Sequence, residues 1–400
     1  MSRPHEVLES PAPSRIPATV KGLSLVSLWN DVASEMVYPL LPAFVTRTLG
    51  GGATVLGALD GAAELTASVM KWVSGRLSDR PAWRVPLILG GYLTAVFVRP
   101  LNALASGAWQ TVGFRVVDRV GKGLRTAPRD AMIADITPLP LRGRAFGFHR
   151  AADHLGAVFG SLAAWWFLSQ GHSVRQVIGW SIVPGLLAFG TLAVVLRPVR
   201  AVPDPRPVAP AEDDRPIDWA PVLALALLAL ARLPETLIIL RVQDLGVSAV
   251  QVPLLWAALH VVRSAASYPG GWLSDHLGPR GTVAMGGAVF ALVTGALALR
   301  LGVVAAASVF LVLGLVAGLT ESAERALVAR LSPRRMGSTF GGYHALTGLA
   351  ALPAAVLFGA LYERAGGERA LLASLGLTLA AVAWWLVVQP SNDKEDARVA

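Results

Sequence analysis

Apolar residues run in long blocks along nearly the whole chain, interrupted at intervals by short polar stretches. A helix that crosses a bilayer needs about 20 mostly apolar residues. Twelve blocks meet that length, at roughly 22–48, 53–75, 84–105, 109–137, 144–170, 175–197, 218–244, 249–272, 281–301, 303–330, 337–362 and 368–389. The first does not read as a cleaved leader, because Asp31 and Glu35 lie in its middle. Residues 1–21 include Pro4, Pro11, Pro13 and Pro17 and read as a cytoplasmic arm. Residues 198–217 combine Pro198, Pro203, Pro205, Pro207, Pro210 and Pro216 with Asp204, Glu212, Asp213 and Asp214. Such a stretch cannot cross a membrane and reads as a linker. The pattern predicts an all-α membrane protein with one six-helix bundle at 22–197, a second at 218–389 and a tail at 390–400.

Composition agrees. Of 400 residues, 54% are hydrophobic and 15% charged, against about 25% charged in a soluble protein. Too few charges remain to solvate a soluble enzyme of several domains. The net charge of +9 changes the picture only through position. With the N-terminus inside, the inner segments carry 18 Lys and Arg and the outer loops five, Arg47, Arg175, Arg300, Arg364 and Arg369. That bias predicts both termini in the cytoplasm and a multi-pass protein of the cell (inner or plasma) membrane. The basic excess therefore marks topology, and no nucleic-acid partner is expected. The absence of Cys excludes disulfides, thiolate metal sites and Cys nucleophiles. No Gly-x-x-x-x-Gly-Lys-Ser/Thr loop is present to drive an ATP motor.

The halves repeat each other. Gly75-Arg76-Leu77-Ser78-Asp79-Arg80, with Arg84, follows the second block. Gly271-Trp272-Leu273-Ser274-Asp275, with Arg280, follows the eighth, 196 residues on. Arg129 and Arg325 share that offset, each within Ala-x-Arg. Gly143, Phe146 and Gly147 match Gly337, Phe340 and Gly341 at 194, and His149 matches His344 at 195. A duplicated six-helix unit of this kind places a substrate site between the repeats near the midplane.

Twelve spans, a six-plus-six split and a Gly-x-Leu-Ser-Asp loop after spans two and eight resemble the major facilitator superfamily (MFS). Arg119-Val-Gly-Lys122-Gly123-Leu-Arg125 is similar to that family's Arg-x-x-Gln-Gly-x-Gly pattern, with Lys122 and Arg125 as departures that make the cavity more positive. Gly147, Gly156 and Gly160 fit the spacing of its exporter pattern, but Ser161 stands at the Pro position and Ala164-Trp165 at the last glycines. The resemblance implies a transporter that works by alternating access, with a lean towards antiport. It also implies a cytoplasmic gate made of Gly75, Asp79, Arg80, Arg84, Gly271, Asp275 and Arg280, which would hold the outward-facing state. Ordinary loop capping by the same residues is the alternative.

Charges inside the spans point to mechanism. Twelve bases and twelve acids fall there, each costing roughly 2.5–3.5 kcal/mol at the bilayer centre if left alone. They must pair, reach the span ends, or line a watery cavity. Arg115, Arg119, Lys122, Thr126 and Arg129 share one helix face, with Asp118 beside them. Asp31 and Glu35 in span one and Asp60 and Glu64 in span two are i, i+4 acidic pairs and candidate partners. Glu321 and Arg325 repeat the spacing in span ten, and Asp153 and Glu235 complete the candidate set. A carboxylate beside a cation can exchange its proton as substrate binds. Asp31, Glu35, Asp60 and Glu64 are thus candidate protonation sites and Arg119 the responding cation, with fixed ion pairs as the alternative.

The expected protein is a proton-coupled secondary transporter of a small molecule, leaning towards efflux and acting as a monomer in the lipid bilayer. A positive cavity favours an anion or zwitterion, unless the acids neutralise it. The alternatives are a uniporter or a metal-ion or anion carrier of the same fold, then a membrane-embedded enzyme or a non-transporting sensor. No cluster of catalytic residues at one membrane face supports an enzyme. No cofactor is implied. His154 and His260 form no two-His helix motif, so no metal site is expected.

Overall fold

The computed structural model describes residues 15–78, 80–138, 141–197, 219–331 and 336–387. The linker, the tail and most of the arm expected from the sequence lie outside the described residues. Among the described residues the chain is helical throughout and contains no strand.

Proline and glycine set the breaks. Helix α1 (Ala18–Glu35) gives way to a 3₁₀ turn at Tyr38–Leu40 and a π turn at Phe44–Thr48. Pro39 and Pro42 each remove a backbone donor there, so the regular ladder cannot continue. Helices α2 (Ala53–Ser78), α3 (Pro81–Leu101), α4 (Ala108–Ile136) and α5 (Arg142–Ser169) follow. Then α6 (Val174–Trp180) passes into α7 (Ile182–Val195) across Ser181. After the linker, α8 (Ala220–Ala231) stops at Arg232, and α9 (Glu235–Asp244) restarts behind Pro234. Pro suits a helix start, where no N–H donor is needed.

Residues Gln251–Ala298, together α10, are two helical limbs that correspond to two of the expected blocks. The α10 element reverses at Gly278, whose φ of 78° and ψ of 153° leave the helical region. Gly314 and Gly318 of α11 face Val262 and Ala266 on its first limb, whereas Arg280, Gly287 and Gly295 on its second meet Trp385, Val382 and Leu375 in descending order. Helices α11 (Val303–Leu331), α12 (Met336–Ala365) and α13 (Gly367–Val387) complete the chain.

Among the described residues seven stretches are long and apolar enough to cross a membrane: Ala82–Leu104, Val174–Val195, Ala220–Asp244, His276–Ala298, Val303–Glu321, Gly342–Ala365 and Gly367–Val387. Helix α4 misses that standard because of the charges it carries at Arg115, Asp118, Arg119, Lys122, Arg125 and Arg129.

The helix ends gather on two faces. On one, Arg175 donates to the carbonyls of Ala103 and Ala105, and Arg241 to those of Leu297, Ala298 and Leu299. We call this the distal face. On the other, where α1 begins and α13 ends, Arg84 donates to the Ser78 carbonyl and Arg280 to those of Trp385 and Leu386. This is the terminal face.

The core divides along the same axis. Towards the distal face one continuous cluster joins residues from before the linker, such as Phe44 and Leu56, to residues after it, such as Leu237, Trp256 and Phe358. Towards the terminal face there are two clusters. Val20, Leu23, Ile88, Ile133 and Leu192 belong to the first part of the chain. Leu225, Leu228, Val283, Val328 and Trp385 belong to the second. The distal join is tightest between α2 and α12. A Cβ at Gly57 would strike the Ala355 carbonyl, and one at Gly359 would lie 2.9 Å from the Thr54 Cα. Only glycine permits that backbone approach.

Candidate functional site

A cavity of about 750 Å³ opens between the two parts of the chain. Side chains from α1, α2, α4, α5, α8, α9, α10, α11 and α12 line it. Of the residues expected to carry function, Asp31, Glu35, Asp60, Glu64, Arg115, Arg119, Lys122, Arg129, Asp153, Glu235 and Glu321 all line this one space. The side chain of Arg325 lies outside the described residues.

Helical periodicity alone positions the basic stripe. Arg115, Arg119, Lys122 and Arg129 follow the i, i+4, i+7, i+14 rhythm of a single helix face, and that face is the cavity wall. Asp118 does not line the cavity. It is buried behind the stripe, where Arg99 Nε donates to it at 2.8 Å, with Arg119 at 3.6 Å and Arg115 at 3.8 Å. Arg99 is further held by Asn30, through the backbone carbonyl at 2.8 Å and the side-chain oxygen at 3.0 Å. Arg129 donates to Ser27 at 3.2 Å and pairs with Asp130 at 2.9 Å.

The acids of α1 and α2 do not pair with the stripe within 4 Å. Asp31 accepts from the Asn30 amide at 2.8 Å. Glu35 accepts the Trp256 indole N–H at 2.8 Å and lies 3.9 Å from His260. Asp60 accepts from the Thr236 backbone N–H at 3.1 Å and hydroxyl at 2.7 Å, and from Tyr38 at 3.3 Å. Glu64 accepts from Ser68 at 3.5 Å. Asp60 therefore occupies the positive N-terminal end of α9, which the Pro234 break exposes. Glu35 and Asp60 both reach across from the first part of the chain to the second. Glu363 returns the contact, accepting from the Thr54 N–H at the start of α2 at 3.0 Å.

Three more acids of the cavity sit beside bases. Arg263 pairs with Glu235, and Arg232 lies 3.4 Å from Glu324, which also accepts from Tyr343 at 2.5 Å. Asp153 sits 3.6 Å from Arg150 and 3.8 Å from His149. His149 is buried and 3.3 Å from Ser24, the surroundings of a structural hydrogen-bonder. The rings of His154 and His260 are 6.5 Å apart.

The expected gate is seen in part. Asp79 and the side chain of Asp275 lie outside the described residues. Arg80 is exposed at the start of α3. Arg84 holds the end of α2 by its Ser78 carbonyl and pairs with Asp135 on α4. Arg280, its partner in the repeat, caps the end of α13, whose Trp385 donates back to the Arg280 carbonyl at 3.0 Å. Among the described residues a Cβ at Gly75 would meet only Ala127 at 3.9 Å, and one at Gly271 nothing within 4 Å. Neither glycine makes a close approach here.

Several cavity residues escaped the candidate set. Tyr38 and Trp256, with centroids 5.3 Å apart, carry no charge to attract notice, and neither does the buried Thr236 that holds Asp60. Arg99, Arg232 and Arg263 stood out as buried bases, but their partners lie on other helices at no fixed spacing.

Known proteins give this architecture its context. The chain is 29% identical over 361 residues to an uncharacterised MFS-type transporter of Methanocaldococcus jannaschii, covering 85% of this chain and 87% of that one. It is 28% identical over 134 residues, a third of each chain, to the multidrug resistance protein MdtH of Edwardsiella ictaluri. Among solved structures it superimposes on a bacterial homologue of the human lysosomal transporter Spinster, in an inward-facing and unoccupied conformation. The TM-score is 0.70 at 17% identity, with 92% and 95% of the two chains covered. The nucleoside transporter NupG gives 0.71 at 12% identity over 92% and 99%. The family model described as Major Facilitator Superfamily matches residues 23–343 and 235–399. The chain belongs to the Major Facilitator Superfamily.

Proposed function

We propose that the protein is a secondary active transporter that moves a small molecule by alternating access, coupled to protons and running as an exporter. In this reading twelve helical rods cross the cell membrane as two six-helix bundles, 22–197 and 218–389, and the chain acts as a monomer. The terminal face is cytoplasmic, so the Lys and Arg of the loops lie inside.

One observation carries the reading. A charged cavity lies between two parts of the chain that are fused at the distal face and separate at the terminal face. That geometry is one end state of a rocking cycle around a central site. The inward-facing conformation of the Spinster homologue supports the same state. The open space around Gly75 and Gly271 is what a disengaged cytoplasmic gate would leave.

Proton coupling rests on where the acids sit. Glu35 and Asp60 hold the distal join through hydrogen bonds that a charged carboxylate accepts more strongly than a neutral acid. Protonation of either would weaken its bonds and favour separation at that end. The export direction rests on the partial glycine pattern of α5 and on the multidrug resistance name of relatives that match a third of the chain.

The test is proton flux in proteoliposomes of the purified protein, driven by an imposed gradient and a panel of candidate substrates. Asp31→Asn, Glu35→Gln, Asp60→Asn and Glu64→Gln are made singly. At least one should transport without moving protons, or lose transport driven by the gradient. If all four keep wild-type coupled flux, the proton-coupled reading is wrong.

A further inference from the structure

We infer that Arg115, Arg119 and Lys122 form a subsite for the acidic head of an organic anion, a carboxylate or a phosphate, whose apolar body lies against α8. The inference deepens the transporter reading and rests on it.

The argument is one of unmatched charge. The three side chains lie within two turns of α4 and line the cavity. The Arg115 and Arg119 side chains are 13% and 11% exposed. The Nε of each is buried and makes no hydrogen bond. Among the described residues, the one carboxylate within 4 Å of either guanidinium is Asp118, at 3.6 and 3.8 Å. Asp118 already accepts from Arg99 at 2.8 Å, so a single negative charge is shared among three cations. Lys122 has no carboxylate within 4 Å among the described residues.

The other acids of the cavity stand apart from these three cations. Asp31, Glu35 and Asp60 accept from neutral donors on Asn30, Trp256 and Thr236 and lie beyond 4 Å of the stripe, and Glu235 and Glu324 pair with Arg263 and Arg232. Buried cations without counter-charge are costly, and guanidinium groups are built to grip two oxygens at once. A carboxylate or phosphate entering from the terminal face would supply the missing acceptors.

The body of the ligand follows from the opposite wall. There α8 contributes Leu225, Leu228 and Ala229, and Leu233 follows just beyond its end, side chains that offer no polar group to a ligand. A head that needs cations and a body that needs an apolar wall together describe an amphipathic anion. Tyr38 does not compete for the head, because its ring lies under Arg115, 4.6 Å from the guanidinium carbon.

Two sources of such a head, a lipid and a free metabolite-sized anion, are separated by matched probes. Full-length protein in nanodiscs is titrated with oleoyl lysophosphatidic acid against monooleoylglycerol, which lacks the phosphate. Glycerol 3-phosphate against glycerol, and succinate, are titrated in parallel. At least one anion should bind at least tenfold more tightly than its neutral partner, and rising salt should weaken it. Arg119→Gln and Lys122→Gln should each lose about tenfold in affinity for that anion. Arg119→Lys should retain part of it, which separates lost charge from lost fold. Lys21→Gln, outside the cavity, should bind as wild type. Tight binding only of the lysolipid assigns a lipid head; binding of the small anions assigns a soluble one.

Equal affinity for charged and neutral partners, or unchanged affinity in both glutamine variants, overturns the inference. Proton-driven flux of ethidium and of the bound anion, each in proteoliposomes of the same protein, keeps the two readings apart. Ethidium flux without anion preference removes the anion subsite and leaves the transporter. Anion preference with flux of neither that anion nor ethidium leaves the subsite and removes the transporter.

Discussion

Asp118 and Asp60 illustrate how two carboxylates in one region come to hold different roles. Asp118 is enclosed by Arg99, Arg115 and Arg119 and has no access to the cavity. It is the anion around which three cations are packed. Breaking one partner out of a buried cluster leaves uncompensated charge and costs roughly 3–5 kcal/mol. Asp118→Asn should therefore lower thermal stability sharply in any detergent, and a melting curve checks it. An unchanged midpoint would mean that Arg99 has other support. Asp60 instead meets neutral donors, Thr236 and Tyr38, and faces the cavity. Asp60→Asn keeps much of that hydrogen bonding, so its effect belongs to coupling more than to folding. The sequence made the stripe on α4 legible because one helix obeys one period. The partners of Asp118 and Asp60 were not legible, because Arg99 is 19 residues away on α3 and Thr236 is 176 residues away behind the linker.

Helices carry the next level of the argument. The apolar blocks located the helical stretches well, since hydrophobic length depends only on local composition. Their interior breaks were harder to read. The stop at Arg232 and restart behind Pro234 lie within an unbroken block at 218–244. That break turns the start of α9 into a socket for Asp60, a consequence that exists only once α2 is packed against it. The reversal at Gly278, by contrast, falls in the gap that the sequence leaves between the blocks at 249–272 and 281–301.

Between elements, the α2–α12 join depends on having no side chain at all. Gly57→Val would push a branched side chain into the Ala355 carbonyl. Backbone cannot yield as a side chain tip can, so the join should fail to close. The chain has no Cys, so a single cysteine introduced at Thr54 reports on this face without background. In Gly57→Val its labelling by a membrane-impermeant maleimide should rise several-fold over the same cysteine in the wild-type background. Equal labelling would show that α2 and α12 can separate by a small distance without opening.

At the scale of the whole molecule, the two small clusters near the terminal face never merge, while the distal cluster is continuous. The packing between the two parts therefore changes with depth, and movement between states would change the profile that each depth presents to the membrane. A bilayer does not press evenly at all depths, because cone-shaped lipids crowd their tails and relieve their headgroups. Such a membrane exchanges work with any body whose profile changes between states. Lipid shape then acts on this protein as a ligand would, without a binding site, by favouring whichever profile stores less elastic stress. Replacing phosphatidylcholine with phosphatidylethanolamine at constant charge should shift the labelling of the Thr54 cysteine even with no substrate present. Identical labelling in both lipids would mean that the two states present the same profile to the membrane.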